Sequence, residues 1–314
     1  MSFLSSTFYF IGLITFAVWL YKAFNFINIY FLQSSKFHRC QQDRPNGASP
    51  WALVTEVTST VGLTFAHEIA SRGFNVVLQG SDKEDLEFLK VDYEKRHTTC
   101  SLITLLADSS AVDGVDFEAI HNQLEPLNLT VLVNNAGRRL EEIPFGLLTS
   151  FSHTHTAQDI SANITFPLLL MKTVLPILGR NEPSLIITVG STQDKGLPLI
   201  ATHAASMSFL RTMTDSLALE MKLGNYDLEL INVNLGTTAG VGGPNFSKWS
   251  LDDAVKTALA RAWCGRRSLH AQWAQGLAER MADFVPRRIS EAGIVLSMRS
   301  AAEDAIRRRD IAST

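Results

Sequence analysis

The stretch of this 314-residue chain with the most chemical content is Trp51 to Gly62, WALVTEVTSTVG. A short apolar strand, Trp51 to Thr55, enters a polar turn and then a helix from Val61 onward. In an α/β protein this order makes a phosphate site, because a pyrophosphate rests on the N–H groups at a helix start. Such a turn is ordinarily rich in glycine, which lets backbone approach phosphate closely. Here Glu56 puts a carboxylate in the turn, Thr60 is β-branched and resists the φ values that glycine supplies freely, and Gly62 closes it. Other chemistries have less support. His153-Thr154-His155 lacks a third ligand at a supporting spacing, so no metal is expected and the segment reads as a loop with solvent-exposed imidazoles. No GxSxG elbow or P-loop is present. Cys40, Cys100 and Cys264 are odd in number and lack CxxC spacing, which predicts free thiols in a reducing compartment.

The elements that must position this turn follow from the hydrophobic pattern. Strands are expected at Trp51–Thr55, Asn75–Leu78, Ser101–Leu106, Thr130–Asn134, Leu185–Val189 and Glu229–Val233. Helical patterns fall at Val61–Arg72, Asp113–Leu124, Ala157–Leu178 and His203–Leu223, with a further helix at Leu251–Ala262. Continuous apolar strands alternating with helices predict a doubly wound parallel sheet covered on both faces, a Rossmann-like α/β fold. Gly236 to Gly243 reads as a loop, and the tail ends in a basic segment containing Arg307–Arg309, whose expected role is a solvated face or contact with anionic headgroups.

Ahead of the sheet, Phe3 to Leu32 is almost wholly apolar. Phe3 to Tyr21 and beyond reaches the roughly 20 residues that a bilayer core requires. A secretory signal peptide would show a basic start and a small-residue cleavage site, and neither is seen. Lys22, Lys36, Arg39 and Arg44 follow the apolar run and none precedes it, so the positive-inside rule puts the main domain in the cytosol. The later apolar part, Ala23 to Leu32, is expected in the membrane interface or as a re-entrant piece. Gln41 to Pro50 reads as a linker. The resulting division is an anchor at 1–32, a linker at 33–50, a core at 51–240, and a lid region with basic tail at 241–314. A net charge of −3 gives no reason to expect nucleic acid as a partner.

WALVT, FAHEIASRGFNVVL, LVNNAG, NITFPLLLMKTVLP and IITVGS occur in the order of the short-chain dehydrogenase/reductase family. With the apolar start, YFLQSSKF and RGFNVVL, the chain resembles the membrane-anchored very-long-chain 3-oxoacyl-CoA reductases and their steroid-dehydrogenase relatives. The resemblance covers Ile29 to Leu235, with a weaker echo at His270 and Val285-Pro286. It implies NADP(H) as cofactor, hydride transfer to a carbonyl, an apolar or acyl-type substrate, and an endoplasmic-reticulum membrane location with a single span. It also implies homodimer formation or association with an active reductase as possible partnerships.

Carried over residue by residue, the resemblance assigns cofactor contacts to Thr55, Val61, Gly62, Asp108, Asn135, Met207 and Thr238, and catalytic places to Asn163, Ser191 and His203. Asn134-Asn135-Ala136-Gly137 is intact, and its asparagines also tie neighbouring strands together. The departures are specific. The first two glycines of the family's turn are Glu56 and Thr60, and its basic residue after the second strand is Ser81, followed by Asp82 and Lys83. Its catalytic Tyr is His203 and its Lys is Met207. The strand-end Pro-Gly is Leu235-Gly236, and Gly240 replaces a later Thr, with Thr237 or Thr238 as partial substitutes. A histidine near its ordinary pKa of about 6.5 needs no lysine to tune it. Equally, Met207 continues an apolar stripe with Leu210, Thr214, Leu217 and Met221 at helical spacing, as packing requires. Two functions are expected from this pattern: an oxidoreductase with an atypical site, or a non-redox protein on the same scaffold, either a partner of an active reductase or a cofactor-independent catalyst using His203.

Overall fold

A computed structural model describes residues 3–44, 47–111, 113–135, 145–191, 194, 196–235, 250–282 and 284–312. Its centre is a parallel sheet of seven strands in the order β3-β2-β1-β4-β5-β6-β7. The strands are β1 (Trp51–Val54), β2 (Asn75–Gly80), β3 (Leu102–Leu106), β4 (Leu129–Asn134), β5 (Ser184–Gly190), β6 (Leu228–Asn234) and β7 (Ser268–His270). Successive side chains alternate between two cores, as a strand covered on both faces must arrange them. Ala52 and Val54 join Val131, Val133, Phe65 and Ile69 on one face, whereas Leu53 joins Leu132, Leu170 and Met171 on the other.

Helices α2 (Thr60–Ser71), α3 (Lys83–Arg96) and α8 (Leu251–Ala260) cover the first face. Helices α4 (Phe117–Leu124), α6 (Phe166–Arg180) and α7 (Ala201–Leu223) cover the second, and α5 (His153–Ile160) leads into α6. Short polar side chains start several of them: Ser59 accepts from Gly62 N–H, and Asp82 accepts from the N–H groups of Glu84 and Asp85. Strand order reverses between β1 and β4, which creates a crevice at the carboxyl ends of those strands.

Four elements lay outside the sequence reading: two helices of the tail (Trp273–Ala282 and Arg287–Ala312), one helix after β2 and one strand. Helix α3 is polar along its length and buries only Leu86 and Tyr93, and β7 is three residues at the sheet edge. His153–His155 is also not a loop. Ser152 caps α5 there, and His155 turns inward with its Nε2 3.4 Å from Asp159 Oδ2.

The apolar N-terminus is one helix, α1 (Phe3–Ile27), followed by a π-helical turn at Asn28–Leu32. Thr7–Leu32 is long and apolar enough to cross a membrane, and its most apolar 18-residue window is not buried by the rest of the chain. His153–Arg180 passes the same length and composition test, but it is half buried as a core helix. The end of the stretch expected in the membrane interface or as a re-entrant piece docks on the folded domain. Ile29 is buried, Tyr30 OH donates to His270 O over 2.9 Å, and Gln33 Nε2 donates to Trp263 O over 3.1 Å. Arg261 donates in return to Gln33 O, at 2.9 Å, and to Tyr30 O. The segment after it is likewise held: Thr130 Oγ1 donates to Cys40 O over 2.8 Å, and Asn128 Nδ2 donates to Gln42 O and Ala48 O.

Helix α9 (Trp273–Ala282) lies beside this junction, where Trp273 meets Phe31 at 6.0 Å, and α10 (Arg287–Ala312) packs Ile294 and Met298 against Leu197 and Ile200 ahead of α7. Arg261→Ala removes two charge-assisted bonds to carbonyls of the docked turn, so we expect a stability loss of about 2 kcal/mol. A melting midpoint lower by several degrees and faster proteolysis around residue 33 would register it.

Candidate active site

The turn after β1 keeps its shape without its first glycine. Glu56 has φ 51°, in the left-handed region that glycine enters freely and that costs other residues roughly 1 kcal/mol. Its backbone is held on both sides. Glu56 N–H donates to Gln79 Oε1 over 2.9 Å, and Glu56 O accepts from Ser59 Oγ over 2.7 Å. Gln79 is fully buried, and its Nε2 spans to Ala107 O at 2.8 Å. Thr60, by contrast, opens α2 with helical backbone, so the left-handed geometry expected to trouble a β-branched residue is demanded only at Glu56. Gly62 is required by close approach: a Cβ there would collide with the Glu56 carbonyl.

Thr55, Val61, Gly62 and Asn135 come together at the switch point between β1 and β4. Asn135 N–H donates to Thr55 Oγ1 over 2.9 Å, and Asn135 Nδ2 donates to Ser59 Oγ over 2.9 Å. Among the described residues, the N–H groups of Thr60 and Val61 have no protein acceptor, so two amides of the α2 start remain for an anion. Asp108 lies at the exposed end of β3, where its Oδ1 accepts from Ser110 N–H and Oγ. Asp82 is committed to capping α3.

At the other end, Ser191 follows β5 and is half-buried, and Asn163 lies in a π-helical turn, Ser161–Thr165, between α5 and α6. Helix α7 packs on that turn and on β5. His203 and Met207 occupy successive turns of α7, and both are buried. Met207 is followed down the helix by buried Leu210 and Thr214 and partly buried Leu217 and Met221. Thr238, with Gly137, Gly236, Thr237 and Gly240, lies outside the described residues.

His203 is 8% exposed, and burial alone drives its pKa from the ordinary 6.5 to about 4. It is neutral at pH 7, which corrects the expectation of an imidazole poised near neutrality. The small cavity beside it measures about 10 Å³, room for about one water. Leu148, Phe151 and Asp159 share its wall with His203.

Several buried polar atoms at this edge have no hydrogen-bond partner among the described residues: both carboxamide atoms of Asn134, Asn163 Oδ1, both His203 nitrogens and Asn232 Oδ1. Asn134, Thr188 and Asn232 sit side by side in register across β4, β5 and β6, and Thr188 Oγ1 meets Thr214 Oγ1 of α7 at 2.9 Å. Orphaned buried polar groups call for a polar ligand or ordered water. A dinucleotide fits this composition, with α2 amides for its pyrophosphate and orphan amides for its ring and ribose. Glu56 brings a carboxylate to the turn at the first end, and at the second Met207 stands where the resemblance expects a lysine. Asn134 was read in the sequence, whereas Thr188 and Asn232 beside it went unread, although polar residues inside otherwise apolar strands were their signal.

A family model described as short chain dehydrogenase matches residues 50–251. A very-long-chain 3-oxoacyl-CoA reductase of Neurospora crassa is 30% identical over 190 residues, 60% of this chain and 57% of that protein. The chain thus spans little more than half of that relative. Among solved structures, a bulky-bulky ketone specific alcohol dehydrogenase from Comamonas testosteroni has a TM-score of 0.61 at 19% identity, covering 76% of this chain and 95% of that one. A short-chain dehydrogenase from Sphingobium yanoikuyae in complex with NADPH gives 0.59 at 22%, covering 76% and 97%. At those identities the likeness shows the shared fold.

The His203 shift has a sign that can be measured. A depressed folded-state pKa leaves stability intact above 6.5 and removes it as pH falls toward 4, because the unfolded chain takes up the proton first. The full loss is about 3 kcal/mol. Glu229, pushed up to about 7 by burial, acts oppositely and loses its contribution as pH rises from 4.5 to 7. We therefore expect wild-type denaturant midpoints to stay nearly level where the two windows overlap. His203→Leu should abolish its own contribution and make stability higher at low pH relative to wild type.

Proposed function

The chain belongs to the short-chain dehydrogenase family, and from that membership we propose a membrane-attached oxidoreductase of the 3-oxoacyl reductase kind. Its substrate is an apolar, acyl-type carbonyl compound, its cofactor a nicotinamide dinucleotide, NADP(H) by resemblance. The observation that carries this reading is the crevice at the β1–β4 switch point. There the turn retains glycine-like backbone at Glu56, and two α2 amides remain open. Relatives named as very-long-chain 3-oxoacyl-CoA reductases support the substrate class. The helix α1, with Lys22, Lys36, Arg39 and Arg44 after it, supports anchoring with the main domain in the cytosol. The endoplasmic reticulum is the membrane we assign on the same resemblance.

Bound nicotinamide would supply or accept the hydride. The amides of Thr60 and Val61 would hold the pyrophosphate, and Asn134 and Asn163 would offer polar atoms to the ring and ribose end. Ser191 and His203 would face the substrate oxygen. A neutral imidazole polarises a carbonyl by donating a hydrogen bond, and it does not need to be protonated for that. It is a poor proton source, since at pH 7 only about one His203 in a thousand is imidazolium. Water must then complete the alcohol, so turnover is slow compared with a tyrosine–lysine site.

A second reading has its own observation. The cavity beside His203 holds about 10 Å³, and Met207 is buried as Leu210 is, which suits a scaffold whose site has closed into core. In that case the protein works as a partner of an active reductase or of a second copy. The double variant His203→Tyr with Met207→Lys separates the two. On the oxidoreductase reading it raises NADPH-dependent reduction of a long-chain 3-oxoacyl-CoA by about a hundredfold, the scale of general acid catalysis. An inactive wild type whose double variant is also inactive, and which co-purifies with a reductase, would establish the second reading.

A further inference from the structure

The foot of α1 and the open edge of the sheet enclose a cavity of about 130 Å³, away from the crevice. Arg211 of α7, Arg266 just before β7, and Arg280 of α9 line it together with Tyr30, His270 and Glu279. On the measure by which the cavity at His203 has room for about one water, this is space for about ten. A phosphate group is accommodated.

The electrostatics favour an anion. Arg211 is paired with Asp194 at 2.7 Å, and Glu279 is joined through a carboxylate oxygen to His270 Nε2. Arg266 and Arg280 have no carboxylate at ion-pair distance among the described residues, so the wall carries uncompensated positive charge. His270 is 7% exposed, and its Nδ1 is buried with no hydrogen-bond partner among the described residues. Planar guanidiniums match phosphate oxygens in geometry as well as charge.

The surroundings say where the phosphate comes from. Arg280 lies over the Phe26 ring in the last turn of α1, 5.1 Å from its centroid. Phe31, 60% exposed, meets Trp273 at 6.0 Å. From Trp273, Leu277 and Met281 recur every four residues along α9, all exposed, and Phe284 extends the stripe. An exposed apolar stripe beside a basic pocket, at the foot of a helix built to span a bilayer, is the pattern of an interfacial helix.

We propose that this cavity binds the phosphate of an anionic phospholipid drawn from the bilayer that holds α1, with α9 lying on the membrane surface. The inference rests on the membrane attachment proposed above and adds a selective lipid contact to it. A free phosphate would use the arginines but leave the apolar stripe without a role. Because Asp194 follows β5 and holds Arg211, the site adjoins the segment that leads to the catalytic helix.

The test uses the full chain in vesicles of phosphatidylcholine, with and without phosphatidic acid, read by melting midpoint and tryptophan fluorescence. We expect a saturable response to phosphatidic acid that Arg266→Gln with Arg280→Gln weakens about tenfold or more. Arg266→Lys with Arg280→Lys should retain most of it, and Lys90→Gln with Lys95→Gln on distant α3 should leave it unchanged. An equal response in phosphatidylcholine alone, or an unchanged response in the arginine-to-glutamine variant, would overturn the proposal. So would the same saturable shift from inorganic phosphate added to the detergent-solubilised chain, which would make this a free-phosphate site. If the chain fails to float with vesicles of either kind, the attachment reading has failed. Short-chain phosphatidic acid in detergent then judges the cavity alone, by the same variants.

Discussion

Asn135 donates from its carboxamide to Ser59 Oγ and from its backbone to Thr55 Oγ1, both over 2.9 Å, and the functional edge of the molecule depends on those two bonds. They tie the end of β4 to the turn after β1 at the place where strand order reverses. Ser59 passes the constraint on, accepting from Gly62 N–H at the start of α2 and donating to Glu56 O. With Gln79 gripping the Glu56 N–H from β2, the turn is fixed from two neighbouring strands. A glutamate therefore keeps a glycine's backbone shape. Its strain, roughly 1 kcal/mol, is small beside the bonds that over-determine it.

This accounts for a split between the two ends of the crevice. The backbone-made end survives the change at Glu56, because its amides belong to every residue type and hydrogen bonds hold the turn in shape. The side-chain-made end does not survive in the same way. Replacing tyrosine and lysine by His203 and Met207 removes both the proton donor and the charge that would tune it, and burial then holds the imidazole neutral. The orphaned atoms of Asn134, Asn163 and Asn232 keep this end polar all the same. A site relaxed wholly into packing would have no reason to bury them unpaired.

The fold was legible in the sequence because buried parallel strands are continuous apolar runs, and WALV, LTVLVN and LIITV could be little else. Helix α3 escaped notice because its surface is charged and only Leu86 and Tyr93 are buried, with Leu89 partly so; β7 is too short to show a period. The site was legible as positions, since Thr55, Gly62, Asn135, Ser191 and His203 all lie at the carboxyl ends of the strands or on the helices that follow. Its state was not. The pKa of His203 depends on how deeply α7 is packed, the conformation of Glu56 on a hydrogen bond to a residue twenty-three places later, and the inward turn of His155 on Ser152 capping a helix. The first two are set by partners remote from the motif, and the third by a serine three residues away, at a segment that the sequence reading took for a loop. The docking of Tyr30 and Gln33 onto Trp263 and His270 was hidden for the same reason as the first two.

Whether the backbone-made end still does its work is the central question, and calorimetric titration of NADPH into the full chain in detergent answers it most directly. Saturable binding of one dinucleotide per chain, in the micromolar to low millimolar range, is what the open amides of Thr60 and Val61 predict. No heat and no shift in melting midpoint at millimolar cofactor would contradict the account and leave the crevice as a structural inheritance.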